Sequence, residues 1–139
     1  MPTVVTNEFK FQEGGQNVSV SGDTWICSLM DNIVTSAENT LKDYSYWSEV
    51  SGSEVSGTGY TSGSELTSMG WFTNDTSNIQ KLSAADLVFP TVSVSATGTC
   101  IWRESDGLIM GFVDFGSAQI SSNANFSITW NTNGILNKI

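Results

Sequence analysis

The chain has 139 residues, 39% apolar and 11% aromatic, which is enough to close one hydrophobic core and too much for a disordered chain. Fourteen Asp and Glu against five Lys and Arg leave a net charge of -9. That balance argues against a nucleic-acid partner, because Lys10, Lys42, Lys81, Arg103 and Lys138 are scattered where phosphate binding needs a basic patch.

Residues 1–17 read either as an N-terminal arm separable from the body or as an ordinary first strand, and residues 18–139 as a single β domain. The opening Met1-Pro2-Thr3-Val4-Val5 lacks the basic region and long apolar stretch of a secretion signal. No later run reaches the length of a membrane span, so cytosolic synthesis without a membrane partner is expected. In an extended N-terminal segment Phe9 and Phe11 share one face. Val18-Ser19-Val20 alternates, and residues 24–30 form a continuous apolar run. Helix signals are weak, with one short helical turn expected within residues 38–50. Residues 51–64, rich in Ser and Gly, have the composition of a long surface loop.

Further strand segments are predicted at residues 66–73, 79–82, 86–89, 99–103 and 108–115, separated by turn chemistry. Residues 74–78 read as a hairpin loop, and Phe89-Pro90 as a strand end, since proline lacks the amide that a central ladder requires. Asp106-Gly107 is the strongest hairpin signal and predicts pairing of the segments on either side. Phe126-Ser127-Ile128-Thr129-Trp130 alternates, which puts three large side chains on one face, and Asn133-Gly134 closes that last strand. Short strands at this spacing predict an all-β fold, an antiparallel β-sandwich or flattened β-barrel.

Cys27 and Cys100, each inside an apolar segment, read as buried thiols in neighbouring strands in preference to a disulfide or a metal site. The chain has no histidine, which removes the commonest general base, the usual partner of a nucleophilic Ser or Cys, and the commonest metal ligand. Carboxylates at Glu49 and Glu54, at Glu104 and Asp106, and at Asp23, Asp31 and Asp114 lie mostly in polar, turn-like stretches where solvated charge is the ordinary reading. Residues 74–78 lack the spaced acids and terminal glutamate of a calcium loop. Residues 57–63 lack the spacing and following helix of a phosphate loop. No catalytic, metal or cofactor site is therefore assigned, and a non-enzymatic role is expected.

Binding candidates remain. Trp25, Trp102 and Trp130 sit inside strand runs and read as core. Trp47, Trp71 and Tyr60 border or lie in the Gly-Ser loop and read as a contact surface or sugar-stacking platform. An extended arm carrying Val4, Val5, Phe9 and Phe11 suits addition as a strand to a partner sheet. The loop at 51–64 is a second candidate for docking.

Tyr46-Trp47-Ser48 followed by Gly57-Thr58-Gly59-Tyr60-Thr61, then Leu87-Val88-Phe89, residues 111–116 (Gly-Phe-Val-Asp-Phe-Gly), residues 126–131 and Gly134-Ile135-Leu136 occur in order along the chain. In these the sequence resembles small β-rich virion structural proteins of tailed bacteriophages, over about residues 24–136. Ser64-Glu65 and the longer N-terminal segment depart from the pattern and leave the mode of attachment open. The resemblance implies a non-enzymatic decoration or cement protein on the capsid surface. A homo-oligomer, a trimer, that binds the major capsid protein of the same phage is expected on this reading. A tail component, or a carbohydrate-binding or receptor-binding β-sandwich module, is the alternative on the same fold.

Overall fold

The computed structural model describes residues 3–74, 79–130 and 136–138, with side chains within 3–71 and 82–130. In chain order the elements are β1 (Thr3–Val5), α1 (Asn7–Gly14), β2 (Trp25–Met30), α2 (Glu38–Asp43), β3 (Ser64–Glu65), β4 (Gly70–Asn74), β5 (Ile79–Ser83), β6 (Leu87–Arg103), β7 (Ile109–Ile128) and β8 (Leu136–Lys138). Short 3-10 turns lie at Asn32–Thr35, Trp47–Glu49 and Ser51–Ser53. The fold is mostly β, as expected, in two antiparallel sheets: one ordered β1-β7-β6-β2-β3, the other β4-β5-β8. No described helix is long and apolar enough to cross a membrane.

The continuous apolar run of β2 follows from burial on both faces of the larger sheet. Trp25, Cys27 and Leu29 join the larger core with Ile101, Met110, Phe126 and Leu82 of the second sheet. Met30 faces the opposite way, into a smaller core with Val34, Leu41, Val50, Cys100, Ile109 and Phe112, roofed by α2 and the 3-10 turns. A strand covered on both sides gains apolar burial at every position, so alternation disappears. The two cysteines are free, buried and on adjacent strands, with Ser28 opposite Cys100 and Cys27 opposite Ile101.

The backbone of the fold is the long ribbon of β6 and β7, into which four expected strands merge. Asp106-Gly107 does join them, through a four-residue connection closed by Arg103 N to Leu108 O at 2.8 Å. Gly107 takes the left-handed conformation there (φ 82°), which a Cβ disfavours. Pro90 does not end β6. The strand passes through it at a bulge between Phe89 and Val92, with Thr91 at φ 49°, and beyond it Val92, Val94 and Ala96 alternate inward. Phe126, Ile128 and Trp130 are all buried, on one face as their spacing requires.

The N-terminal segment is neither a free arm nor one strand. β1 pairs with β7 at Thr3 to Val113, Val4 to Phe112 and Val5 to Gly111, and α1 follows at once. Thr6 caps α1 by accepting from Phe9 N at 3.3 Å. Two residues apart on a helix point to different sides, so Phe9 is buried while Phe11 is 74% exposed, and the shared face expected of a strand is lost. Val18-Ser19-Val20 forms no strand either; Asp23 accepts from Ser19 N at 2.9 Å and holds it in a turn. Within residues 66–73 the strand starts only at Gly70. The helical signal in residues 38–50 resolves into α2 and one 3-10 turn. Residues 75–78 and the Asn133-Gly134 turn lie outside the described residues.

Candidate partner-binding surface

The long Gly-Ser loop is laid down on the sheet. Thr58 pairs with Ser93 and Met30 with Glu54 as isolated bridges. A Cβ at Gly57 would collide with the Ser93 carbonyl, and one at Gly59 (φ 83°) with that of Thr91, so glycine permits this close approach. Tyr60 is consequently buried, its ring edge-on to Phe89 at 5.4 Å between centroids. Its hydroxyl accepts from Leu29 N at 2.9 Å and donates to Glu54 Oε2 at 2.7 Å. Burial, with the Glu54 hydrogen bond behind it, raises the phenol above its ordinary value. A ring locked in this way offers no platform to a sugar or protein partner, which corrects the expectation for Tyr60.

Of the other proposed binding residues, Val4 and Val5 are half-buried against the two cores and Phe9 is internal, edge-on to Trp25 at 5.9 Å. The strand-addition role given to the arm is therefore already used within the chain. Trp71 is half-buried against the larger core. Trp47 stacks on Trp102 at 4.9 Å and 6°, so each ring covers one face of the other, and Trp102 donates from Nε1 to Ser28 Oγ at 3.0 Å.

What the fold does gather is an aromatic surface at the turn end of the ribbon. Trp47 N donates to Gly107 O at 2.8 Å and Tyr46 bridges to Leu108, which fixes the Tyr46-Trp47 segment beside the hairpin. Glu49 holds it from below, accepting from Ser45 N at 2.6 Å and Tyr46 N at 2.8 Å. Tyr46 is 37% exposed, and its hydroxyl lies 3.4 Å from Gln12 Nε2 on α1, next to the exposed Phe11. The acidic Glu49, Glu104 and Asp106 flank this region in sequence. Tyr46 and Trp47 are thus presented on a braced frame, with the exposed Phe11 on α1, one residue before Gln12.

Four of the aspartates singled out in the sequence have structural partners. Asp31 caps the first 3-10 turn through Ile33 N at 3.0 Å, Asp114 accepts from Gly116 N at 2.8 Å, and Asp23 and Asp106 bind Arg103. Among the described residues no group of three or more Cys, Asp or Glu comes together to hold a metal ion. Burial pushes the Cys27 thiol up to about 12, and raises Cys100 well above its ordinary value for the same reason. Neither thiol is poised as a nucleophile.

A second surface was not anticipated. The far half of β7 bends back so that the Phe115 and Phe126 rings meet at 6.1 Å between centroids, and within this bend lies an open groove of about 540 Å³ that includes Phe115, Ile120, Phe126 and Ile128, with Ile120 78% exposed. The sequence signal was the uncharged run from Phe115 to Trp130, in a chain of otherwise acidic balance. No family model, curated protein or solved structure matches this chain.

Proposed function

We propose that this chain is a non-enzymatic virion structural protein of a tailed bacteriophage, one that binds the assembled capsid and stabilises it as a decoration or cement protein. The observation that carries the reading is the exposure of the large side chains Phe11 and Tyr46, with the half-buried Trp47 beside Tyr46. The Tyr46-Trp47 segment is held in place by hydrogen bonds to Gly107 and Glu49 and still leaves aromatic surface in water, which is the pattern of a contact face. The ordered resemblance along residues 24–136 supports the capsid as its setting. The acidic groups beside it suit a shell surface with basic character.

Cementing follows from mass action. A protein that binds the assembled shell and not its loose subunits stabilises the shell by about 2.7 kcal/mol per site at a free concentration a hundredfold above Kd. Linked copies attach more tightly than single ones, because the second contact forms at high effective concentration. The surface is tested with Phe11→Ser. Loss of about tenfold or more in affinity for shells, with an unchanged melting temperature, is expected from removing an exposed aromatic anchor. Undiminished binding would place the contact elsewhere.

A further inference from the structure

We infer that the groove inside the bend of β7 is a binding site for a short neutral oligosaccharide. The bend is held by identifiable contacts. Asp114 pairs with Gly98 and Gln119 with Ala96, so residues 115–118 of β7 stand opposite Thr97 alone and bulge out of the ribbon. Asp114 Oδ1 accepts from Gly116 N at 2.8 Å, and Gly116 takes the left-handed conformation (φ 90°) that this turn requires. On the other side of the groove Ser121 Oγ donates to Ala124 O at 2.8 Å, and Asn123 N donates to Ser93 Oγ at 2.9 Å. A ligand therefore meets a groove already shaped, without the cost of ordering it.

The class of ligand comes from the lining. Its volume of about 540 Å³ is that of an ordinary small-ligand site, and every described residue around it is uncharged. Phe115, Phe126 and Ile120 give it apolar surface, while Gln119, Asn125 and several serine and threonine hydroxyls stand among them. A wholly apolar ligand would strip water from those amides and hydroxyls and return no hydrogen bond. An anion finds no counter-charge, and it is repelled at both ends, by Asp114 and by Asp86, which accepts from Trp130 N at 3.3 Å. A cation is drawn to those two carboxylates and not to the middle. A neutral sugar matches the whole lining, since its C–H faces pack on rings and its hydroxyls meet amides.

The two amides are oriented by the chain itself. Asn125 Oδ1 accepts from Thr91 N at 3.1 Å, which leaves its NH2 group as an open donor. Gln119 Nε2 donates to the Ser117 carbonyl and hydroxyl at 3.2 and 3.1 Å, which leaves its own carbonyl as an open acceptor. Neither open end has a partner among the described residues. One fixed donor and one fixed acceptor suit sugar hydroxyls, each of which both donates and accepts. The groove lies on the half of β7 paired with Leu87 to Ala96, whereas Tyr46 and Trp47 are held at the Asp106-Gly107 turn. Sugar binding is thus separate from shell binding through Phe11.

The test is a titration of the full chain with maltohexaose, cellohexaose and chitohexaose as neutral probes and hexagalacturonate as the acidic one, followed by NMR at the side-chain amides of Gln119 and Asn125. Saturable binding of at least one neutral probe that moves both amide signals, with no response to hexagalacturonate, is expected. Asn125→Asp keeps the acceptor for the Thr91 amide and loses the donor, so it should weaken the bound probe about tenfold. Gln119→Ala removes the acceptor from an exposed position and should do the same without changing the melting temperature. If Asn125→Asp lowers the melting temperature, Gln119→Ala decides alone. Phe11→Ser should leave the titration unchanged, so failure here and failure of shell binding are told apart. No binding of any neutral probe, binding that leaves the two amide signals in place, preference for hexagalacturonate, or undiminished binding by Gln119→Ala would each overturn the inference.

Discussion

Arg103 Nη1 lies 3.0 Å from Asp23 Oδ2, an ion pair that ties the hairpin end of the central ribbon to the chain segment before β2. The same guanidinium donates from Nε and Nη2 to Asp106 at 3.0 and 2.8 Å and from Nη1 to the Asn17 carbonyl at 2.9 Å, with its carbon 6.0 Å from the Trp25 ring centroid. Arg103 is therefore the fastener of the N-terminal segment, and its side chain is only 8% exposed. Arg103→Ala should lower stability by about 2 kcal/mol, discounted from a fully buried pair because both carboxylates retain water. Chemical denaturation measures this, and an unchanged midpoint would refute it.

The Arg103 hydrogen bonds hold the Asp106 carboxyl below its ordinary 3.8. A carboxylate with a lowered folded value contributes stability that is present above the unfolded value and lost as the pH falls through the folded one. Stability should accordingly decline below about pH 4. Asp106→Asn should flatten that decline, measured as melting temperature against pH.

At the alkaline end the signs reverse. Cys27, Cys100 and Tyr60 all have raised values in the folded chain, for burial first, so their contribution is complete below their unfolded values and fades above them. Melting temperature should fall from about pH 9 upward, through the ordinary thiol and then the phenol range. A thiol reagent should leave the native protein unlabelled and modify both cysteines only after unfolding; rapid labelling of the native state would contradict the burial.

Tyr60→Phe removes the acceptor of the Leu29 amide and the donor to Glu54 while keeping the ring against Phe89. A buried amide left without a partner costs about 1–3 kcal/mol. Gly59→Ala should cost a comparable amount, since a left-handed residue against the Thr91 carbonyl has no room for a methyl group. Both losses are read from the denaturation midpoint. If neither variant shifts it, the loop is not docked on the ribbon.

The β class, the Asp106-Gly107 hairpin and the inward face of Phe126, Ile128 and Trp130 were legible because local spacing alone decides them. Pro90 misled because a bulge supplies what the proline withholds, and bulges depend on both strands of a pair. Phe9 and Phe11 misled because a short helix capped by Thr6 and the alternation of a strand share the same few residues. Tyr60 looked like a loop aromatic until the glycines around it proved to serve close packing. Phe11 and Trp47 were legible as aromatics outside the strand runs, but the bracing of the Tyr46-Trp47 segment by Gly107 depends on contact between distant segments. The bend of β7 that brings Phe115 to Phe126 has no local signal beyond Gly116.

The central claim is most directly tested by mixing the purified protein with matching phage capsids that lack it, then measuring co-sedimentation, bound copy number and the temperature at which the shells disrupt. Saturable binding at a copy number set by the shell's symmetry, with a raised disruption temperature, is the predicted result. Shells that sediment without the protein, or bind it and disrupt at the same temperature as before, would contradict the cementing role.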